Sequence, residues 1–540
     1  MTVTESPAEA PAEAVADESS PVARPAGLAG LLGTGDHISV GRLWVVASLL
    51  FLLAAGVAGG VIGAERLDTG SLDVLNDETQ LGQVFTLHST AAVFLFLVPL
   101  FIGIATAVVP LQVGAGSVAF PRASAAAFWG WFLSGGVLLA SYLADGGPNG
   151  TDRDGVLLWI VGLGGVLVSL CLGTVCVVTT VWALRTAGMT LDRVSAFSWS
   201  MLVAGTIWLL SLPVAFGLLI LAWLDVRYGS GILDGGVYGD LRWAIGQPQV
   251  YAYALPALGL LLDAVPVAAG VRPRNYGVLL GAVAFAGITG YGAAWLNQAS
   301  DSSLATDASY VIVAFAVLLP LLIVFGGVAD VLRRGLRGRN AVDRRLRLTS
   351  PLLFGIGGLL LFLAAAAAGA ARTIDPLELV GTTADSAVVH GALLAGAIGG
   401  LGALHHWSTK LFGVQLKESI GRLAALVLLL GGLALAVPDF VSGLLDQPVG
   451  STAPDVQDGV EALNGVSLAG GALVLLGVLL VLLNLAASAA RRKAGDVPAD
   501  PWDGHTLEWL TTSPPAPGNF GPVEPVTSAA PLLDQKEASS

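Results

Sequence analysis

Residues 85–100 read FTLHSTAAVFLFLVPL, one histidine at the head of an apolar run. A run of about 20 such residues crosses a bilayer as a helix, because hydrocarbon offers no water to backbone N–H and C=O groups. Comparable runs begin near Leu43, Thr86, Ala126, Val156, Ser195, Trp243, Tyr276, Ala308, Pro351, Ser386, Arg422 and Val466. The expected fold is an all-α integral membrane protein, a bundle of about twelve transmembrane helices.

Composition agrees with this reading. The chain is 54% hydrophobic and 12% charged over 540 residues, outside the range of soluble domains. A net charge of -13 argues against a nucleic-acid partner and leaves the lipid bilayer as the first one. Cys171 and Cys176 sit inside one apolar run and read as core packing rather than as a disulfide or thiolate metal site. Residues 1–36 are Ala, Pro and Glu rich without the basic start of a secretory signal, and are expected to be a disordered tail. Residues 37–490 form the membrane domain, and residues 491–540 read as a Pro-rich, extended tail.

Charge asymmetry orients the bundle. Arg333, Arg334, Arg337, Arg339, Arg344, Arg345 and Arg347 crowd one connection, and Arg272, Arg274, Lys410, Lys417 and Arg491 fall on the same side. By the positive-inside rule that side, with both termini, is cytoplasmic, in a bacterial-type plasma membrane. The opposite connections, such as GGPNGTDRD and LLDQPVGSTAPDVQDGVE, are acidic.

Six histidines occur in the chain, so their placement is informative. His88 opens the second span and His390, in SAVVHGALLAGAIGG, opens the tenth. Both spans run outside to inside, which puts the two imidazoles at similar depth near the outer end. Facing helices with histidines at one depth and small neighbours can ligate one haem iron axially. The plainer alternative is that each ring bonds a neighbouring carbonyl or faces headgroups. His405 and His406, beside Trp407, read as structural, while His37 and His505 have no visible partner. WAIGQPQVYAYALP, residues 243–256, adds two carboxamides at membrane depth, which can bond one another or a buried water.

With the histidines placed, the sequence resembles subunit I of the haem-copper oxidases, the cytochrome c oxidase family. DHISVGRLW, FTLHSTAAVFLFLVP, VVPLQVGAGSVAFPR, FWGWFLSGGVLLAS, LLSLPVAFG, GQPQVYAYALPALG, VVHGALLAGA and DPWDGHTLEWLTTSPPAPGNF follow the family's order along nearly the whole chain. The last piece is like the aa3 and caa3 branch of bacterial oxidases.

The resemblance implies that His88 and His390 hold a low-spin haem, a- or b-type left open. The family's high-spin haem histidine falls on Val388, which cannot ligate iron. Its copper-binding G-H-P-E-V-Y motif is Gly246, Gln247, Pro248, Gln249, Val250, Tyr251 here, and its histidine pair falls on Asn297 and Gln298. Neutral carboxamides are poor copper ligands, so the copper position is expected to be empty. Tyr251 keeps the family's phenol without its histidine partner. Gln249 and Ser117 stand where the family has proton-handling carboxylates, and an aliphatic in LLPLLIVF replaces a lysine. The propionate arginines fall on about Val449 and Gly450, and the first-span arginine on Gly63 beside Glu65.

Three functions follow. One is a membrane haem protein carrying electrons through a single bis-histidine haem, working with other respiratory-complex subunits (subunit II/III-like) or a membrane reductase. Another is a haem-free structural or assembly subunit. The third is the core subunit of a functioning, proton-translocating terminal oxidase that reduces oxygen to water.

Overall fold

The computed structural model describes residues 27–67, 75, 78–148, 150–229, 231, 237–295, 304–337, 346–450, 459–491 and 497–538. Asn297, Gln298, Arg339, Arg344, Arg345 and most of the N-terminal tail lie outside the described residues. Among those described, the chain is all-helical, with one isolated β-bridge between Thr382 and Pro448.

Eleven helices are long and apolar enough to span a membrane, so this is a multi-pass membrane protein. In chain order they and one shorter helix are α1 His37–Glu65, α2 Thr79–Val113, α3 Pro121–Leu143, α4 Arg153–Ala183, α5 Ala196–Tyr228, α6 Gln249–Ala269, α7 Tyr276–Thr289, α8 Ala308–Leu336, α9 Ser350–Ala371, α10 Thr383–His406, α11 Glu418–Gly443 and α12 Val460–Ala490. The seventh expected span is the short one. Its 14 residues cover about 21 Å at 1.5 Å per residue, less than the hydrocarbon thickness of about 30 Å.

Burial separates centre from periphery. The most apolar 18 residues of α2 are 94% buried, and those of α10 78%, against 28% in α1 and α12, whose apolar side chains are left for lipid. Helix α6 is as enclosed as α2. Small residues allow these central helices to approach closely. A Cβ on Gly399 of α10 would lie 2.2 Å from that of Ala257 on α6, and one on Gly41 of α1 would lie 2.7 Å from the carbonyl of Gly103 on α2.

The two ends differ in charge. Arg272 follows α6, Arg333 and Arg334 close α8, Lys410 follows α10 and Arg491 follows α12, which makes a basic end. Arginines in the last turn also complement the negative end of the helix dipole. The other end carries Asp145, Asp152, Asp375, Glu378 and Asp446.

The C-terminal segment packs against the basic end. Trp502, Leu507, Trp509, Val526, Leu532 and Leu533 are buried. The Trp502 indole donates to the carbonyl of His406 at 2.8 Å and its ring stacks on that histidine. Lys410, fully buried, donates from Nζ to the carbonyls of Thr511 (2.6 Å) and Thr512 (3.3 Å). Burial lowers this ammonium to about 8. His37 also has partners that the sequence did not reveal: Nδ1 lies 3.2 Å from the Thr106 carbonyl and Nε2 3.1 Å from Asn519 Oδ1 of this segment.

Candidate metal centre

His88 and His390 meet near the acidic end. Their ring centroids are 6.0 Å apart and the planes cross at 66°. A transition metal–imidazole bond is about 2.0–2.1 Å, so two nitrogens on opposite sides of one ion put their ring centroids about 6 Å apart.

Each ring is held through its other nitrogen. His88 Nδ1 lies 2.8 Å from the Ala55 carbonyl of α1. A carbonyl only accepts, so Nδ1 carries the proton and Nε2 keeps the lone pair. Space for the ring comes from α1, where a Cβ on Gly59 would lie 2.8 Å from His88 Cε1. Directly after His88 the backbone of α2 winds as a π-helix over Ala91–Leu97, a local widening common at functional sites.

His390 Nδ1 lies 3.4 Å from Asp439 Oδ2 of α11. The Asp439 side chain is 1% exposed, and its Oδ1 accepts from Arg66 at 2.8 Å and from Ser467 Oγ at 3.1 Å. The end of α1 and the helices α10, α11 and α12 are thereby tied to one carboxylate. A carboxylate behind the imidazole fixes the Nδ1–H tautomer, so the lone pair of His390 is also on Nε2.

Among the described residues no group of three or more His, Cys, Asp or Glu side chains gathers as a metal site. Two imidazoles alone are too few for a bare zinc or copper ion. They match an iron whose four remaining ligands come from a macrocycle. By tautomer, spacing and donor count the residues present fit a haem.

The second group of residues singled out by sequence lies among α5, α6, α9 and α10. Gln247 donates from Nε2 to the Gly369 carbonyl at 3.2 Å and accepts at Oε1 from Arg372 at 3.0 Å. The Tyr251 hydroxyl reaches the Ala365 carbonyl at 3.4 Å. Both face Gly369, where an added Cβ would be 2.1 Å from the phenol oxygen and 2.8 Å from the amide nitrogen. Gln249 Oε1 accepts from Ser211 Oγ (3.0 Å) and the Gly292 amide (2.9 Å), while its Nε2 is buried without a partner. Of the two alternatives for these carboxamides, a bond to one another or to a buried water, the first is not formed, because side chains two apart at a helix start point to different faces. Val388 is buried in the apolar core.

Sequence reasoning passed over Asp439, Arg66 and Asp263. An aspartate inside an apolar run was the available signal for Asp439 and Asp263. Arg66 gave none, because it meets Asp439 only through the fold.

Comparison with known proteins places this chain in a family. The family profile described as "Cytochrome C and Quinol oxidase polypeptide I" matches residues 39–473. The chain is 29% identical to a putative cytochrome c oxidase subunit 1-beta of Streptomyces avermitilis, over 93% of this chain and 91% of that one. It is 29% identical to cytochrome c oxidase subunit 1 of Bacillus subtilis, over 94% and 83%, and 30% identical to that of Thermostichus vulcanus, over 92% and 91%. A solved heme-copper terminal oxidase dimer shares its fold, with TM-score 0.66 over 93% of this chain and 89% of that one, at 16% identity. The extent of these matches shows that the chain belongs to the cytochrome c and quinol oxidase polypeptide I family.

Proposed function

We propose that this member of the family is a membrane haem protein that carries electrons through one low-spin haem held by His88 and His390, without an oxygen-reducing metal centre of its own. The observation that carries the proposal is the facing pair of rings, 6.0 Å apart, each fixed from behind at Nδ1. When bound, the haem supplies a one-electron couple. The chain's own residues hold each imidazole at Nδ1 and leave Nε2 as the nitrogen that keeps a lone pair for iron. Asp439 makes His390 a stronger donor, while Arg66 balances the carboxylate.

The positions where the family carries its high-spin haem and copper ligands are Val388, Gln247, Asn297 and Gln298, with Gln249 and Tyr251 beside them. Of these, Gln247 and Gln249 take hydrogen bonds as neutral amides, and Val388 packs in the core. These contacts support a centre that binds no copper and reduces no oxygen. The natural partners of such a chain are other subunits of a respiratory complex or a membrane reductase, in a bacterial plasma membrane with both termini in the cytoplasm.

Iron and copper analysis of the purified chain tests the proposal, which predicts one iron and no stoichiometric copper. One copper per chain together with oxygen consumption would restore the terminal-oxidase reading. Absence of iron would favour a structural or assembly subunit, a reading supported by the hydrogen bonds that satisfy both histidines from within the protein.

A further inference from the structure

The basic end holds two buried carboxylates that the histidine site does not use, Asp263 of α6 and Glu508 in the short turn Leu507–Leu510. One amide joins them. Gln112 Nε2 of α2 lies 3.1 Å from Asp263 Oδ2 and 3.1 Å from Glu508 Oε1. The amide's orientation is fixed because its Oε1 accepts from Ser195 Oγ at 2.6 Å and Ser198 Oγ at 2.8 Å. Gln112 therefore gives one N–H to each carboxylate.

Beyond that shared amide the two acids are treated unequally. Asp263 takes the backbone N–H groups of Ala196 (2.9 Å) and Phe197 (3.1 Å) at the start of α5, where the helix dipole favours an anion. Glu508 Oε1 takes the Trp407 indole at 3.1 Å, but Oε2 is buried with no hydrogen-bond partner. The Thr506 side chain and the Glu508 backbone also favour the ionised form, yet burial outweighs them.

Neither acid belongs to an ion pair among the described residues. Lys410, which acts on Glu508 electrostatically, directs its Nζ to Thr511 and Thr512 instead. Tyr276 of α7 donates to the Val194 carbonyl, and Arg272 pairs with Asp534 and Glu537. Of the C-terminal segment's other titratable groups, Asp500 acts electrostatically on Lys410 and His505 lines the cleft beside Asp263. Burial raises the Glu508 carboxyl from its usual range, although the Lys410 ammonium attracts its charge. A cleft of about 310 Å³, lined in part by Asp263, Arg193, Arg272, Tyr276, His505 and Thr506, gives water a route to Asp263.

We propose that Asp263 and Glu508, coupled through Gln112, form a proton-binding site that holds one proton between them and exchanges it, through Asp263, with water in this cleft. Two buried carboxylates at one amide, neither in an ion pair and with Lys410 hydrogen-bonded elsewhere, do not both ionise easily, so the pair takes up one proton as a unit.

Infrared difference spectra of the full chain between neutral and alkaline pH test this. The expected result is a carbonyl stretch of a buried protonated carboxylic acid at neutral pH that disappears on alkalisation. Glu508→Gln and Asp263→Asn should each move its titration to lower pH by removing the like charge. A wild-type spectrum without such a band would overturn the proposal, even where a variant fails to assemble. So would a titration unmoved by either substitution.

Discussion

Asp439 Oδ2 lies 3.4 Å from Nδ1 of His390, so a carboxylate on α11 stands directly behind the imidazole on α10 that faces His88. Loss of such a partner typically weakens metal binding by about 10–100-fold. Asp439→Asn should weaken haem retention by roughly that factor, read as haem lost on dilution in detergent. Unchanged retention would remove Asp439 from the site.

Gly59 makes room for the other ring. A Cβ there would sit 2.8 Å from His88 Cε1, whereas one on neighbouring Gly60 meets nothing within 4 Å. Alanine in place of helical glycine gains about 1 kcal/mol of propensity, while overpacking costs typically about 1–3 kcal/mol. Gly60→Ala is expected to be neutral or stabilising in thermal unfolding, and Gly59→Ala to lower both the melting temperature and the haem content. Equal behaviour of the two would contradict the placement of His88.

The reading of the histidines and that of the carboxylates diverged for a physical reason. His88 and His390 were legible as a pair because loop charge set the direction of α2 and α10, and direction set their depth. Asp439, Arg66, Asp263 and Glu508 were not, because each acquires its partners from helices distant in sequence. The C-terminal segment read as an extended tail from its prolines, yet Trp502 and Trp509 bury themselves against α10 and its flanking turn. Helix α7 read as a full span, but it ends at Gly290.

Gly369 offers a test of the cluster around Gln247. Its missing side chain is replaced in space by the Tyr251 hydroxyl, which a Cβ would approach to 2.1 Å. Gly369→Ala should destabilise the protein by about 1–3 kcal/mol, and Tyr251→Phe should recover part of that loss in the double variant. Additive effects would show that the two do not share this space.

Lys410 gives a pH dependence of defined sign. Burial lowers its ammonium from 10.5 to about 8. Between these values the unfolded chain holds a proton that the native one has released, so this residue's contribution to stability rises with pH across the window. The melting temperature of the wild type minus that of Lys410→Met should therefore increase as pH is raised from about 8 to about 10. A flat or falling difference would contradict the buried ammonium.

The central claim rests on His88 and His390, and a reduced-minus-oxidised visible spectrum of the purified chain tests it most directly. The account predicts the sharp band of a six-coordinate low-spin haem, lost in both His88→Ala and His390→Ala while Gly60→Ala retains it. A colourless protein, or a haem band that survives both histidine substitutions, would contradict it.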